Sequence, residues 1–372
     1  MRLAMFSMPT HPPGRPVYET YDDDFRTFEL ADELGYDEVW LGEHFTSVWE
    51  NIPDPLAFIA EAAYRTKRLR FGTGVLLMPF HNPLYAALRV AQLDHQTRGR
   101  IQLGIGSGGL TADKELFGLS HTPEEASNLT REGIELLLRC WQGEPFEFEG
   151  DYFKLSAKEH RPIVLDGVLM RPYQQPHPPI AIAGNTRGSY ALRNAGARGW
   201  IPMSAQFLAE SGLESHWQAY AQGAAEREAP AEGRTADRGL WRISRDIHVA
   251  DTSQGAREEA TSGGISRTYT DYFFHVFQGN ARALDWFKDD PSTPDEAITI
   301  DYLREKTFIV GSPDEVVEKV GRLYERVGGF GYLMQVAHDW WPNQPALHRS
   351  MELLAAKVLP QLPKEASAGT PG

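Results

Sequence analysis

Cysteine is nearly missing from this chain: Cys140 is the single one in 372 residues. That excludes an internal disulfide framework and any multi-cysteine metal site, and its neighbours in ELLLRCWQG put Cys140 in a helix core. No apolar stretch reaches the length of a membrane span. MRLAMFSMPT opens as a strand, not as a charged segment ahead of a long apolar one, so a reduced, cytoplasmic location is expected. Basic charge is scarce as well, with 37 lysines and arginines against 51 acids and a net charge of −14. Such a field opposes phosphate backbones and anionic membranes, and neither nucleic acid nor a membrane is an expected partner. No serine or cysteine stands in a nucleophile-elbow context, Ser47 and Ser107 included. The carboxylates and His-x-His pairing of metal hydrolase barrels are missing too, which sets aside a metal at His44, His81 and His338.

What the chain does have is an apolar fraction of 41%, ample for a large core, and a repeating rhythm. LAMFSM, DEVWLGEH, LRFGTGVLLM and GRIQLGIGS read as four strands. Between and after them, DDDFRTFELADELG, DPLAFIAEAAYRT, NPLYAALRVAQLDHQTRG and TPEEASNLTREGIELLLRCWQG carry helical periodicity with capping signals. PIAIAGN, GWIPMSA and LWRISRDIHVA continue as strands five to seven, and an eighth lies within GGFGYLMQVA. Eight strands alternating with helices predict an α/β fold, a (β/α)8 TIM barrel with insertions after strands 4 and 7. The whole of 1–362 reads as one domain. Within it, 144–179 is an excursion, 252–300 has the length of a functional, mobile lid, and 363–372 has a disordered composition. GIGSGG superficially offers a dinucleotide-binding turn, but it ends strand four instead of strand one.

Barrel chemistry sits at the C-terminal ends of the strands. Met8, His44, Phe80, His81, His338 and Trp340 all fall there, with Trp49 in the loop beyond His44. Gly106, Gly108 and Gly109 would let a flat ligand approach the backbone. Asn185, Thr186, Arg187 and Ser189 surround a helix start, whose free N–H groups and dipole favour a phosphate. A flat, phosphate-bearing cofactor explains these features together. His11 and His216 read as solvated, on loops or helix surfaces.

DEVWLGEHF, LRFGTGVLLMPFHNPL, LDHQTRGRIQLGIGSGG, IAIAGNTRGSYALRNAG and FIVGSPDEVVEKVGRLYE resemble the bacterial luciferase-like, flavin-dependent monooxygenases over nearly the whole chain. ENIPDP and WRISRDIHVADT look most like the two-component diketocamphane and limonene monooxygenase type. The resemblance implies reduced FMN as a diffusible co-substrate, supplied by a separate NAD(P)H-dependent flavin reductase. With O2, that flavin would oxygenate a hydrophobic terpenoid or cyclic ketone or alkene through a C4a-peroxyflavin, by Baeyer-Villiger reaction, epoxidation or hydroxylation. A homodimer is also implied.

Carried over by residue, His44 matches the active-site histidine, expected to titrate near neutrality and manage the peroxide proton. Thr73 and Gly74 match the strand-three segment that packs on the flavin ring, often through a non-proline cis peptide, and Gly106, Ser107 and Gly108 match the strand-four segment. Luciferase itself has a cysteine and an arginine in that strand-four segment. Its charge is missing here, and Arg187 is expected to supply it. Gly184 and Gly188, with Asn185, Thr186 and Ser189, match the phosphate cradle. Met8, Trp49, Phe80, His81, His338 and Trp340 are expected to line the substrate pocket, with the aromatics and the 252–300 segment excluding water. A deazaflavin-dependent oxidoreductase of the same superfamily and a catalytically silent flavin-binding accessory subunit are the alternatives.

Overall fold

A computed structural model describes residues 1–8, 10–157, 170–226, 236–278 and 283–363. The tail composition noted after Pro363 and part of the 144–179 excursion lie outside them. The strands in chain order are β1 (Arg2–Ser7), β2 (Glu38–Leu41), β3 (Arg70–Leu77), β4 (Ile101–Gly106), β5 (Phe146–Glu149) and β6 (Lys154–Ala157). They continue as β7 (Ile180–Gly184), β8 (Ile201–Ser204), β9 (Arg242–Arg245), β10 (Ile247–Val249), β11 (Ile309–Gly311) and β12 (Tyr332–Ala337). Eight of them close a barrel in the order β1-β12-β9-β8-β7-β4-β3-β2, with β1 and β12 in parallel register from Arg2↔Tyr332 to Ser7↔Ala337. The expected barrel and strand order are therefore present. One strand differs: LWRISRDIHVA is divided at Asp246, where β9 stays in the barrel and β10 leaves to pair with β11. The Asp246 carboxylate sits at the break, accepting from the Tyr269 hydroxyl at 2.7 Å and lying 2.6 Å from His338 Nε2.

The barrel interior is filled in layers. Near its base Arg242 Nη2 meets Glu38 Oε1 at 2.7 Å, and the guanidinium lies over the Tyr332 ring, 3.8 Å from its centroid. Trp40 is fully buried above this pair. It occupies space that only glycine leaves, since a Cβ on Gly72 would lie 2.2 Å from the indole. Ala4, Ala181, Met203 and Met334 complete the layer. Outside the barrel, local signals set the helices. In the helix Pro123–Gln142, Thr122 Oγ1 accepts from Glu125 N at 3.2 Å and Glu125 Oε2 from Thr122 N at 2.8 Å, a reciprocal cap worth about 1 kcal/mol.

The insertion after β4 includes the antiparallel hairpin β5–β6. The described part of 252–300 is mostly helical, running through Ser253–Ser262, Gly264–Thr268, a π turn Tyr269–Phe273 and Phe274–Gln278. Its aromatic residues explain its mixed sequence signal: Tyr269, Phe273, Phe277 and Phe287 are buried and surround Phe207, with ring centroids 5.0 to 6.3 Å away. Among the described residues, no helix is long and apolar enough to cross a membrane.

Candidate active site

At the C-terminal mouth of the barrel, one wall is built from the smallest side chains. Gly74, Gly104, Gly106, Ala181 and Ala183 belong to β3, β4 and β7. Ala181 packs in the interior, so strand alternation turns Ala183 inward as well, yet Ala183 is exposed. An inward-facing strand residue in contact with solvent marks an open cavity. Here β3 and β4 press together: a Cβ on Gly104 would lie 2.0 Å from the Thr73 carbonyl oxygen, and one on Gly106 would lie 2.4 Å from Val75 Cγ2. A cis peptide joins Gly74 and Val75, and the β3–β4 register shifts between Thr73 and Leu76. This revises the expected role of two glycines, for Gly106 accommodates Val75 and Gly108 accommodates Phe80. The backbone open to a ligand is at Gly109 and Gly188, where an added Cβ meets nothing within 4 Å.

His44, just past the end of β2, is held between two acids. Its Nδ1 lies 3.2 Å from Asp113 Oδ2 and its Nε2 lies 3.0 Å from Glu50 Oε2. The second approach is an ion pair without hydrogen-bond alignment, and Glu50 Oε2 accepts no hydrogen bond. Burial alone would lower the imidazole pKa, but the Glu50 charge and the bond to Asp113 outweigh it and raise the value to about 10. His44 is thus an imidazolium through the neutral range, which corrects the expectation of a group titrating near neutrality.

Asp113 lies in the short helix Thr111–Leu116 and is 1% exposed. It accepts from Phe45 N at 3.2 Å, Thr46 N at 2.9 Å and Thr46 Oγ1 at 2.6 Å. Burial would raise its pKa, but its bonds to His44 and Thr46 lower it. Sequence reasoning missed both acids. Glu50 stood in plain view as the one acid between His44 and Asp54, whereas Asp113 looks like any acid in a first helical turn.

Glu43 is buried and serves as an anchor, accepting from Leu77 N at 2.6 Å and lying 2.9 Å from His81 Nε2. His81 is thereby committed to the β2–β3 junction. Trp49 stacks on Tyr272, with ring centroids 5.5 Å apart, and Phe45, Phe80 and Phe117 form a triangle with centroids 4.9 to 5.1 Å apart. These rings rim the side of the mouth that holds His44. Met8 accepts from Gln206 Nε2 through its sulfur at 3.4 Å, linking the ends of β1 and β8. Two expected pocket residues are buried elsewhere: His338 points at Asp246, and Trp340 stacks on His248 at 4.3 Å.

After β7, Asn185 and Thr186 are exposed, Gly188 has φ +61 and Ser189 caps the helix Tyr190–Arg198. Arg187 is not free to hold an anion through Nη2, which donates to Ser211 Oγ at 2.8 Å and to the carbonyls of Lys288 and Asp289. His216, expected in solvent, is wholly buried beneath this loop, between Ser204 Oγ at 2.9 Å and the Thr186 carbonyl at 2.8 Å; burial lowers its pKa to about 4. His11 is buried as well, between Asp24 and Asp339 at 3.1 Å each. A groove of about 700 Å³ lies at the opposite end, lined by Ala60, Ala63, Lys67, Gln96 and Arg100. It sits by the N-terminal ends of β3 and β4, away from the face where barrels carry chemistry. Among the described residues, no group of three or more His, Cys, Asp or Glu side chains could hold a metal ion.

The luciferase-like monooxygenase family model matches residues 1–329. The chain is 31% identical to 3,6-diketocamphane 1,6-monooxygenase of Pseudomonas putida, over 97% of this chain and 98% of that one. It is 30% identical to limonene 1,2-monooxygenase of Rhodococcus erythropolis, over 96% and 86%. Among solved structures, it resembles the oxygenating constituent of 3,6-diketocamphane monooxygenase from the Pseudomonas putida CAM plasmid, a type II Baeyer-Villiger monooxygenase in complex with FMN. That match has a TM-score of 0.89 and 29% identity, and covers 98% of this chain and 99% of the other.

Proposed function

Because the chain belongs to the luciferase-like monooxygenase family, we propose that it uses reduced FMN and O2 to oxygenate a hydrophobic cyclic ketone or alkene of terpenoid type. A separate flavin reductase supplies the FMN, and the chain works as a homodimer. The observation that carries this reading is the open barrel mouth at Ala183, an inward-facing strand residue exposed to solvent, in a chain whose FMN-bound relative shares the fold throughout. A small side chain there leaves room for a flat ring system. Thr73, Gly74, Gly106, Ser107 and Gly108 would border the ring. Gly184, Asn185, Thr186, Gly188 and Ser189 would hold the phosphate through backbone N–H groups and hydroxyls at a helix N-terminus, with Arg187 stiffening the loop. Reduced FMN supplies the electrons that activate O2, one oxygen atom going to the substrate and the other to water.

The chain's own residues do the rest. His44, charged at neutral pH with Nδ1 on Asp113 and Nε2 beside Glu50, keeps its proton and places a fixed positive charge that favours negative charge developing on oxygen near the ring, so it does not act as a base. Trp49, Tyr272, Phe45 and Phe80 present an apolar rim that admits a hydrophobic substrate and keeps water out.

The test is anaerobic titration of the protein with reduced FMN, followed by O2 and a panel of cyclic ketones and terpenes, with products read by mass. Retention of reduced FMN and a product one oxygen heavier are expected. In His44→Ala, product per flavin oxidised falls at least about tenfold and hydrogen peroxide rises to match. Absence of any oxygenated product from the wild type would overturn the function, and unchanged coupling in the variant would overturn the role of His44.

A further inference from the structure

Beneath the loop that follows β7, three buried side chains form one hydrogen-bonded chain. Trp241 Nε1 donates to Ser204 Oγ at 2.9 Å, Ser204 Oγ pairs with His216 Nδ1 at 2.9 Å, and His216 Nε2 meets the Thr186 carbonyl at 2.8 Å. His216 and Trp241 are wholly buried and Ser204 nearly so. A carbonyl can only accept, so the imidazole proton sits on Nε2. Burial keeps the ring neutral, lowering its pKa to about 4, and Nδ1 then accepts from the serine hydroxyl.

The helix that carries His216, Glu210–Ala225, grips the loop at two more points. Ser211 Oγ accepts from Arg187 Nη2 at 2.8 Å and Ser215 Oγ accepts from Gly188 N at 3.0 Å. Each serine gives its own proton to a carbonyl, that of Asp289 or of Gly212. This helix lies backbone to backbone on the helix Tyr190–Arg198: a Cβ on Gly196 would stand 2.0 Å from the Tyr220 carbonyl oxygen, and one on Gly223 would stand 1.8 Å from that of Arg193. His216 itself presses under the end of β7, where a Cβ on Gly184 would stand 2.8 Å from its Cε1. The Thr186–Arg187 peptide is trans, and in a trans peptide the C=O and the following N–H point in opposite directions. With the Thr186 carbonyl held on the buried side, the Arg187 N–H is turned to the open side, where Asn185, Thr186 and Gly188 are exposed.

We propose that His216 is a positioning residue for the flavin phosphate: by holding the Thr186 carbonyl down it aims the Arg187 N–H at the ligand, and so lets this loop tell FMN from riboflavin, the same ring without phosphate. The inference rests on the reading of Asn185 to Ser189 as the phosphate cradle. It gives Arg187 a backbone part that its guanidinium, spent on Ser211 and the carbonyls of Lys288 and Asp289, does not take. His216 needs no contact with flavin or substrate.

The experiment is anaerobic titration of the whole protein with reduced FMN and, separately, with reduced riboflavin, Kd being read for each in wild type, His216→Leu, His216→Gln and Ser204→Ala. Wild type is expected to bind reduced FMN at least about tenfold more tightly than reduced riboflavin. His216→Leu fills a similar space without polar atoms and should weaken FMN binding at least about tenfold, while riboflavin binding changes less than about twofold and reports an intact ring site. His216→Gln, whose amide N–H can reach the Thr186 carbonyl, should recover most of the lost FMN affinity. Ser204→Ala leaves the imidazole without its fixed partner and should give a smaller loss confined to FMN, which decides the matter even where His216→Leu fails to fold. Parallel loss of both flavins, or loss of neither, makes His216 a packing residue and overturns the proposal. A wild type that binds the two flavins alike would overturn the cradle reading itself and this inference with it, so the two failures are told apart without any oxygenation.

Discussion

Replacing Asp113 with asparagine puts the electrostatics of the site to a quantitative test. His44 stands at about 10 against an ordinary 6.5. At about 1.4 kcal/mol per pH unit, the folded protein favours the imidazolium by roughly 5 kcal/mol, shared between Glu50 and Asp113. Because burial of the ring opposes the charge and stays in place, losing one carboxylate removes at least about half of this, so His44 in Asp113→Asn should titrate at roughly 8 or below. The asparagine oxygen can still accept from Thr46, which keeps the loop in place.

Stability follows the same sign. A folded-state pKa raised above the unfolded value gives stabilisation that is complete below about 6.5 and is lost as pH rises through the folded value. The wild type therefore gives up this contribution approaching pH 10, and the variant, with less to lose, does so earlier. The gap in unfolding free energy between the two should be widest near pH 6, at about 2 kcal/mol or more, and narrow towards pH 10. Urea unfolding at several pH values gives the gap, and histidine NMR gives the midpoint. An unchanged His44 midpoint in Asp113→Asn would refute the reasoning.

Two further outcomes follow from buried groups elsewhere. His216 has its pKa lowered to about 4 by burial, so its contribution is intact above the unfolded value near 6.5 and is lost as pH falls towards 4. Urea unfolding should show a loss of up to about 3 kcal/mol across that window from this group, absent in His216→Gln. Gly104→Ala would place a Cβ 2.0 Å from the Thr73 carbonyl oxygen, and thermal or urea unfolding should show a cost of about 3 kcal/mol or more. Gly109→Ala, with nothing within 4 Å, should stay within about 0.5 kcal/mol of the wild type.

The barrel was legible because its signals are local. Each strand is a short apolar run, each helix repeats its apolar face, and caps such as Thr122 and Ser312 announce helix starts within a few residues. The C-terminal ends of those strands then pointed to His44 and Thr186 before any contact was known. Where the reading missed, the deciding partner lay far along the chain. LWRISRDIHVA read as one strand because the break at Asp246 depends on Tyr269 and His338. Trp340 read as pocket lining because His248, on which it stacks, comes from another strand.

By itself the sequence determined the fold and set His44 just past the end of its second strand, since backbone periodicity and strand order depend on neighbours in the chain. Only the tertiary structure decided the charge of that histidine and the purpose of the strand-four glycines. Asp113 reaches His44 across 69 residues, and the pKa of an imidazole depends on which charges stand within a few ångströms and how little water is left between them. Gly106 looks the same in sequence whether it makes room for a ligand or for Val75 of the adjoining strand. The packing of β3 against β4 settles which.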